Sequence, residues 1–383
     1  MKNNQQCILL SGFILNDNNR GSAALGYGSI SFLEERGYVS ISDCFCMLSK
    51  FGKNPLRWKG KIGKKQLNIG GKKVVIKLVN YFEWEYVLYF KYSILLPFSP
   101  LRSLINRLKI VAATNGGDGF SDIYGKEMFY NRLKEIRIAM KEGKPLLFMP
   151  QTIGPFSDII IRDDAIKILR YANKIFVRDK KYVRELDSLS LNYELTKDLS
   201  AFMQPEPWNI NVKPNSIGIN VSGLCYSNRF VSLSNQFAAY PELINRLIVH
   251  FQAKGKTIYL IPHSYHYGYP EPNNDDIVAC QMAYDKLEDK KNVIFVNQNL
   301  ISPQIKYLIS KMSFFIGTRM HANFAAIYTN VPVFGLAYSY KFEGAFDSNG
   351  LDGKKQTSMI NNIGLEDIDD VINKVEAFYK STL

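Results

Sequence analysis

Two polar clusters near the end of the chain carry side chains that could hold an anion and transfer a proton. The first is Thr318-Arg319-Met320-His321, and the second is Ser339-Tyr340-Lys341. Arginine and lysine supply positive charge at neutral pH, and histidine is the side chain that exchanges a proton most readily there. A phosphate group is the natural ligand of such a set.

The sequence around these clusters predicts a strand–helix–strand unit. Phe314 to Ile316 and Val331 to Ala337 are short apolar runs typical of buried strands, and Arg319 to Tyr328 between them predicts a helix. Gly317 turns the chain, and Thr318 is a suitable N-cap. Because such crossovers are right-handed and make both strands parallel, we expect both clusters at the carboxyl edge of one sheet, where ligands bind.

The predicted helix N-terminus strengthens the case for an anion. Free backbone N–H groups and the helix dipole attract negative charge at this position, and Arg319 and Lys341 would add to it. The same pattern also fits a solvated arginine at the start of an ordinary helix. The pattern alone leaves both interpretations open.

Polar residues also follow predicted strands in the first half of the chain. Ile110 to Ala113 leads into Asn115-Gly116-Gly117-Asp118, where glycines and a carboxylate would let a ligand approach closely. Lys174 to Val177 leads into Arg178-Asp179. Structural alternatives remain open, because Asp118 can cap the next helix and Arg178 can form a surface ion pair.

These and other elements, taken in chain order, resemble the polysaccharide pyruvyltransferase family. They are N-R-G-S-A-A at 19–24, N-G-G-D-G-F-S-D-I-Y-G at 115–125, P-Q-T-I-G-P at 150–155, R-D at 178–179, P-H at 262–263, and R-M-H with V-P-V-F-G-L-A-Y-S-Y-K within 319–341. Two positions depart from the family pattern, since Ser22 stands where Asp is common and Asn115 replaces a glycine. The resemblance runs from Asn19 to Leu351.

The resemblance implies a fold and a reaction. The fold would be α/β, with two Rossmann-like domains whose parallel sheets face each other across a cleft, similar to glycosyltransferase-B enzymes. The reaction would move pyruvate from phosphoenolpyruvate to two hydroxyls of a sugar, leaving a cyclic ketal and releasing phosphate, in cell-surface polysaccharide biosynthesis. Phosphoenolpyruvate is then the co-substrate, a sugar or polyprenyl-linked oligosaccharide is the acceptor, and neither a cofactor nor a metal is expected.

That reaction assigns roles to the polar residues. We expect His321 to protonate the methylene carbon, Arg319 to clamp the phosphate, and Asp118 to act on the acceptor hydroxyl. The residues expected to bind the donor are Arg178, Arg319, Met320, His321, Thr318, Gly317, Ser339, Lys341, His263, Asn220 and Ser222. Those expected to bind the acceptor are Arg20, Asn115, Gly116, Gly117 and Gln151.

The length of 383 residues predicts two domains. We place an acceptor domain at 1–205 and a donor domain at 206–365, with a proline-rich linker before the second domain. A final helix, 366–383, is amphipathic. By the resemblance, we expect it to pack back on the N-terminal domain.

Most of the net charge of +13 lies in one segment, residues 50–109, which holds fourteen Lys or Arg against two acids. This segment is also rich in aromatic residues and shows no family signature. It predicts either helices that cover the N-terminal sheet or a surface that contacts an anionic membrane. The absence of an RNA-binding motif and the high apolar content argue against nucleic acid.

Cysteine usage and hydropathy indicate the compartment. The five scattered cysteines suit a reducing environment, and no apolar run reaches the ~18 residues of a membrane-spanning helix. Cys7 to Leu15 is short and lacks a cleavage site, so it predicts a first core strand rather than a signal peptide. We expect a cytoplasmic protein, peripheral at the inner face of the plasma membrane.

Three other functions stay open. A nucleotide-sugar-dependent glycosyltransferase would share the architecture, although no acidic pattern for a ribose is evident. A non-catalytic membrane-associated scaffold would not need Arg319 and His321 together. A nucleic-acid binder would show binding that weakens steeply with salt.

Overall fold

The computed structural model describes residues 6–14, 16–50, 63–180 and 182–383. Two compact units divide the chain. The first comprises the residues up to 15 and Leu25–Met203, and the second comprises Asn16–Ala24 and Gln204–Leu383. The sequence predicts the boundary two residues later and places 16–24 in the first domain, whereas the structure groups that short segment with the second unit.

The first unit is a sheet with eight strands among the described residues, in the order β3-β4-β2-β1-β5-β6-β7-β8. Every pair is parallel except the hairpin β3–β4, which turns at Gly70 and Gly71 with positive φ. The strands are β1 Cys7–Ser11, β2 Cys44–Lys50, β3 Gly63–Ile69, β4 Lys72–Tyr81, β5 Leu108–Ala113, β6 Leu146–Gln151, β7 Lys174–Val177 and β8 Glu194–Leu195. The first strand ends earlier than predicted, at Ser11, and Leu15 lies outside the described residues.

Helices connect these strands, as parallel pairing requires. They are α1 Arg20–Glu35, α2 Glu83–Tyr92, α3 Pro100–Ile105, α4 Lys126–Asn131, α5 Lys134–Lys141, α6 Ile159–Tyr171 and α7 Val183–Ser188. Strand β1 is buried at every position. A strand of this kind needs cover on both faces of the sheet, and the helices supply it.

The aromatic part of the segment 50–109 covers the first sheet. Tyr86 and Tyr89 of α2 and Leu101 and Leu104 of α3 belong to the same buried core as the strands. The sequence allows either helices that cover the sheet or a membrane-contacting surface, and these four side chains fit the first interpretation. Residues 51–62 of the segment lie outside the described residues, and several other aromatic side chains of the segment are exposed.

The second unit is a parallel sheet, with six strands in the order β11-β10-β9-β12-β13-β14 among the described residues. Its strands are β9 Ile217–Asn220, β10 Ile258–Leu260, β11 Val293–Phe295, β12 Phe314–Gly317, β13 Val333–Ala337 and β14 Thr357–Met359. Its helices are α8 Gly223–Ser227, α9 Tyr240–Ala253, α10 Asp276–Lys286, α11 Ser302–Ile309, α12 Met320–Ile327, α13 Lys341–Asp347, α14 Gly353–Gln356 and α15 Ile368–Ser381.

The predicted strand–helix–strand unit is present as β12–α12–β13. The two strands are adjacent and parallel, and Ile316 pairs with Phe334. The predicted cap is wrong by one residue, because Arg319 and not Thr318 is the N-cap of α12. Thr318 is buried, and its hydroxyl is 2.8 Å from the Tyr240 hydroxyl, so it is not available to cap the helix.

The final helix, α15, packs within the second unit, which differs from the position that we expect from the family resemblance. Tyr379 contacts the rings of Phe251 in α9 and Phe314 in β12, with centroids 5.3 and 5.2 Å apart. The buried face repeats with helical spacing through Ile368, Val371, Ile372, Val375 and Tyr379. These apolar residues bury their surface against the second sheet. Among the described residues, no helix has the length and apolar character needed to cross a membrane.

Charged groups also attach α15 to α9. Glu376 is 2.9 Å from His250 and 3.0 Å from Lys254, and Lys380 lies 3.3 Å away. Burial alone would raise the pKa of Glu376, but the bonds from these three bases lower it to about 2. A carboxylate with a lowered pKa stabilises the folded state above its unfolded pKa, and this contribution is lost as the pH falls towards 2.

We therefore expect Glu376→Gln to lower the unfolding free energy at pH 7 by about 1–3 kcal/mol, since the bound bases lose their carboxylate. Between pH 5 and pH 2, the unfolding free energy of the wild type should fall by about 1–3 kcal/mol more than that of the variant. Urea unfolding across this pH range measures both. Glu288→Gln, at an exposed position, is the control, and parallel pH curves for wild type and Glu376→Gln would contradict the expectation.

Candidate functional site

The candidate site of the second unit is built around an ion pair between Arg319 and Asp276. Arg319 donates from Nη2 to Asp276 Oδ1 at 2.7 Å and from Nε at 3.1 Å. The Asp276 side chain is fully buried, and that of Arg319 is 12% exposed. Burial alone would lower the pKa of Arg319, but the adjacent carboxylate raises it above its ordinary value. The arginine therefore stays charged, and its charge is paired.

Asp276 also binds backbone N–H groups from two other segments. Gly223 donates to Oδ1 at 2.8 Å, while His263 and Ser264 donate to Oδ2 at 3.0 and 2.9 Å. Asp276 occupies the first turn of α10, and the preceding Asp275 is the N-cap. Asp275 therefore caps the helix, and the next residue, Asp276, organises the site.

Asn220, the last residue of β9, connects this pair to the sheet. Its side-chain Nδ2 donates to the Ile261 carbonyl at 2.9 Å and to Asp276 at 3.4 Å, and its Oδ1 accepts from the Arg319 backbone N–H at 2.8 Å. We expect Asn220 to bind the donor, but the structure places it fully buried with its amide used internally. Its role here is to fix the backbone where α12 begins.

His321 lies in the first turn of α12 and is partly exposed. A Cβ atom on Gly21 would lie 2.7 Å from the His321 Cγ and Nδ1 atoms, closer than real Cβ contacts. Only glycine at position 21 therefore lets the imidazole lie against the first turn of α1. The ring also packs edge to face on Phe324, with centroids 5.6 Å apart. Backbone and ring contacts thus fix the orientation of His321.

His263 is a buried neighbour of His321. Burial holds the pKa of His263 well below its ordinary value, and the charges of His321, Arg20 and Arg319 lower it further. The His263 imidazole is therefore neutral at neutral pH. Of the two histidines at the site, the partly exposed His321 is the one placed to reach a ligand.

Arg20 is not placed as we expect for an acceptor-binding residue. It is 1% exposed, and its guanidinium donates to the carbonyls of Leu300 at 3.0 Å and Tyr265 at 2.5 Å. The group also stacks on the Tyr265 ring, 3.2 Å from its centroid. Because its donors are directed at carbonyls inside the second unit, Arg20 anchors the segment 16–24 to that unit.

Three other residues predicted to bind the donor also lie beneath the surface. Thr318 and Ser222 are fully buried, and the Ser222 backbone N–H donates to Tyr240 at 3.0 Å. Gly317 is required because a side chain there would collide with Asn323. These residues shape the carboxyl edge of the sheet and present no exposed atoms to a ligand.

The remaining predicted donor residues of the second unit are more accessible. Met320 is partly buried against the core beneath α12. Ser339 is partly exposed after β13, and Lys341 is exposed at the start of α13. The Lys341 backbone N–H donates to the Ser339 hydroxyl at 3.3 Å. Lys341 therefore offers a cation whose ammonium group is open to solvent.

A second set of predicted residues lies at the carboxyl edge of the first sheet. Asn115, Gly116 and Gly117 have φ values of 44°, 72° and 92°. The family glycine replaced by Asn115 thus lies in the left-handed region, which asparagine tolerates better than most residues. Asn115 and Gln151 are buried and bonded to each other at 3.2 Å, which leaves Gly116 as the exposed member of the predicted acceptor set.

Asp118 and Arg178 belong to the same edge. Asp118 is partly exposed and accepts from the Tyr124 hydroxyl at 3.0 Å. Arg178 donates to Asp198 at 2.8 Å and to Thr152 at 3.1 Å. Burial alone would lower the pKa of Arg178, but Asp198 and the neighbouring acids raise it. Arg178 thus pairs with the buried Asp198 at 2.8 Å and with the more exposed Asp179 at 3.7 Å, and its own side chain is 20% exposed.

The structure therefore gathers the predicted residues into two sets, one in each unit. His321, Arg319, His263 and Asn220 come together in the second unit, whereas Arg178, Asp118, Asn115 and Gln151 come together in the first. The sequence reasoning missed Asp276. Its signal was present, because two aspartates, Asp275 and Asp276, stand side by side at the start of α10 and only one of them can be the cap. Within the described parts of the chain, no three His, Cys, Asp or Glu side chains meet as metal ligands.

Comparisons with known proteins bear on the family and the fold. The family model described as polysaccharide pyruvyl transferase matches residues 19–340. No curated protein sequence matches the chain. The structure of UDP-GlcNAc 2-epimerase from Methanocaldococcus jannaschii is similar with a TM-score of 0.54 and 9% identity, over 97% of this chain and 91% of that chain. E. coli heptosyltransferase WaaC with ADP gives a TM-score of 0.46 and 10% identity, over 98% and 100% of the two chains.

The likeness to the epimerase concerns the fold, because the identity is low. It supports an α/β architecture of two parallel-sheet domains, similar to that of glycosyltransferase-B enzymes. The family match covers both units and includes both sets of site residues.

We expect Asp276→Asn to lower the unfolding free energy by about 3–5 kcal/mol, because it leaves the buried Arg319 charge without its partner. The double variant Asp276→Asn with Arg319→Met should lose less than the sum of the single losses, by about 1–3 kcal/mol. Urea denaturation of the four proteins measures this coupling. The control is the same double-mutant cycle on the exposed ion pair of Lys355 and Asp352. A coupling free energy that is equally small in both cycles would contradict the expectation.

Proposed function

Since the chain belongs to the polysaccharide pyruvyl transferase family, we propose that it moves pyruvate from phosphoenolpyruvate to two hydroxyls of a sugar, with release of phosphate and formation of a cyclic ketal. The observation that carries the proposal is the family match over residues 19–340, which includes His321 in its defined position against Gly21. The product would be a modified cell-surface polysaccharide, such as a capsule or exopolysaccharide.

The reaction needs an acid close to the donor. Protonation of the methylene carbon makes the neighbouring carbon electron-poor, and a hydroxyl oxygen then attacks that carbon. We assign the acid to His321, because it is partly exposed and lies beside the neutral His263. A bound phosphate would favour its imidazolium form, so donor binding itself would prepare the acid.

The role of Arg319 in the proposal differs from a simple phosphate clamp. Its Nη2 and Nε atoms bind Asp276 and Asn274, and its Nη1 donates to neither of them. We therefore assign Arg319 mainly to positioning, since it holds the start of α12 and thereby His321. Lys341 and the Ser339 hydroxyl, which are more accessible, are assigned to the phosphate or carboxylate of the donor.

We assign the acceptor side of the reaction to the first unit. Asp118 is partly exposed and would take the proton of an attacking hydroxyl, and Arg178 would add positive charge for the donor. Gly116 is the exposed glycine of the same loop, and its backbone would let a sugar approach closely.

An anionic membrane is the proposed location of the acceptor. The turn between α2 and α3 exposes large apolar side chains, with Phe98 99%, Tyr92 65% and Ile94 53% accessible. Phe98 also has a φ of 64°, unusual for a bulky residue. Lys91 and Arg102 are exposed on either side of this turn. Aromatic groups beside cations suit the headgroup layer of an anionic membrane and a polyprenyl-linked acceptor at its inner face.

For the reaction, we expect the wild type to release phosphate from phosphoenolpyruvate when a sugar acceptor is present, measured with a panel of hexose glycosides. His321→Gln should lower this release by about 10²–10⁴-fold while phosphoenolpyruvate still shifts the melting temperature. His266→Gln, at a loop histidine, is the matched control. Stabilisation by a nucleotide sugar and not by phosphoenolpyruvate would favour the glycosyltransferase alternative and contradict the proposal.

For the membrane, we expect the protein to sediment with vesicles of phosphatidylcholine and phosphatidylglycerol more than with phosphatidylcholine alone, and less at high salt. Phe98→Asn with Ile94→Ser should weaken binding by about tenfold or more, because the buried apolar area is lost. Asparagine tolerates the left-handed φ at position 98. Tyr269→Asn, 87% exposed in the second unit, is the control, and equal binding by both variants would contradict a docking role for this turn.

A further inference from the structure

We propose that Glu135 is a second proton acceptor at the carboxyl edge of the first sheet, where it binds a sugar hydroxyl and takes its proton. No motif or family element singles out this residue in the sequence. The inference deepens the proposed function and rests on it for the identity of the reaction. It concerns only the first unit, and its binding step can be tested without the donor.

The location of Glu135 is the first observation. Glu135 lies in the first turn of α5, and its Oε2 accepts from the hydroxyl of Ser11, the last residue of β1, at 3.0 Å. In the sheet order, β2 lies on one side of β1 and β5 on the other. After β1 the chain adds β2, β3 and β4 on one side of it, and then crosses to add β5 on the other side. Ligands of open α/β sheets bind where the strand order reverses in this way.

The charge of Glu135 is the second observation. Among the described residues, it forms no ion pair, and Ser11 is its side-chain hydrogen-bond partner. The adjacent Lys134 directs its ammonium elsewhere, to Glu83 at 2.8 Å and to the Tyr81 hydroxyl at 3.2 Å. A carboxylate that is partly withdrawn from water without an ion-pair partner costs the fold stability.

Burial raises the pKa of Glu135 above its ordinary value, although the bond from its own backbone N–H, the Ser11 bond and the Lys134 charge act in the opposite direction. Tyr81 and Tyr86 are the other titratable groups that interact with it, and the pKa of each is also raised by burial. A carboxylate whose pKa is raised is a stronger base than an ordinary one. The side chain remains partly exposed, so a hydroxyl can reach it.

The proposed reaction removes a proton from each of two hydroxyls, and two carboxylates can each take one of them. Each of two acceptor hydroxyls forms a C–O bond to the same donor carbon and loses its proton. The bond from that carbon to the phosphate oxygen breaks, and its electron pair leaves on phosphate. Of the two hydroxyl protons, one replaces the proton that the methylene carbon gained, and the other leaves on phosphate. We assign one hydroxyl to Asp118 and the other to Glu135.

The kinetic test compares Glu135→Gln with the wild type in transfer from phosphoenolpyruvate to p-nitrophenyl glycosides of common hexoses. Glutamine keeps the size and a hydrogen-bond acceptor but cannot take a proton, so kcat should fall by about 10²-fold or more with a small change in KM. Glu135→Asp should keep part of the activity. Glu127→Gln, an exposed acid in α4, is the matched control. A kcat of Glu135→Gln equal to that of the control overturns the proposal.

A binding test separates this inference from the proposed function. The wild type should bind at least one of the same glycosides in the absence of donor, measured by saturation-transfer NMR. Glu135→Ala should bind that glycoside about tenfold or more weakly, because a charge-assisted hydrogen bond to a hydroxyl is lost. Glycoside binding that depends on Glu135, with phosphoenolpyruvate inert, would support this site and refute the pyruvyl transfer. Binding of no glycoside by the wild type, or equal binding by Glu135→Ala, overturns the site. A far-UV spectrum and melting temperature confirm that each variant is folded.

Discussion

The buried pair of Asp276 and Arg319 is the interaction on which the second unit's site depends. One carboxylate accepts from a guanidinium and from backbone N–H groups that follow β9 and β10, while Asn220 fixes the backbone that follows β12. Three strand ends are thereby held at fixed distances. A buried charge is tolerated only with its partner and with its remaining hydrogen bonds made, and here both conditions hold. The start of α12, which carries His321, is positioned by that arrangement.

His321 shows how the arrangement acts on chemistry. The residue follows Arg319 by two positions, so fixing the backbone at Arg319 also fixes where the imidazole begins. Gly21 then limits the orientation of the ring from the other side, because no other residue fits there. An acid catalyst needs a defined distance to the atom that it protonates. The site therefore obtains its precision from a buried network and a glycine, neither of which needs to touch the substrate.

Local patterns in the sequence predicted what local physics determines. The apolar runs and small residues around α12 gave the strand–helix–strand unit and its parallel pairing, because burial on both faces leaves a clear signature. Partners distant in sequence were missed. Arg319 reads as a free cation until Asp276, 43 residues away, is placed beside it. Arg20 resembles a ligand-binding residue in a motif, yet its donors are directed at the carbonyls of Tyr265 and Leu300. Sequence shows that a group is charged, but only the fold shows what neutralises it.

The grouping of Asn16–Ala24 with the second unit has a consequence for how the chain is made. Ribosomes deliver the amino end first, so Arg20 emerges long before Tyr265 and Leu300, the residues whose carbonyls bind it. Until they appear, the first turn of α1 has no native surroundings, although the rest of that helix can already join the first sheet. Completion of the amino-terminal part thus waits for nearly the whole chain. If the gene were divided between residues 203 and 204, the fragment that begins at residue 204 would lack Asn16–Ala24. Those residues are part of the second unit in the complete chain.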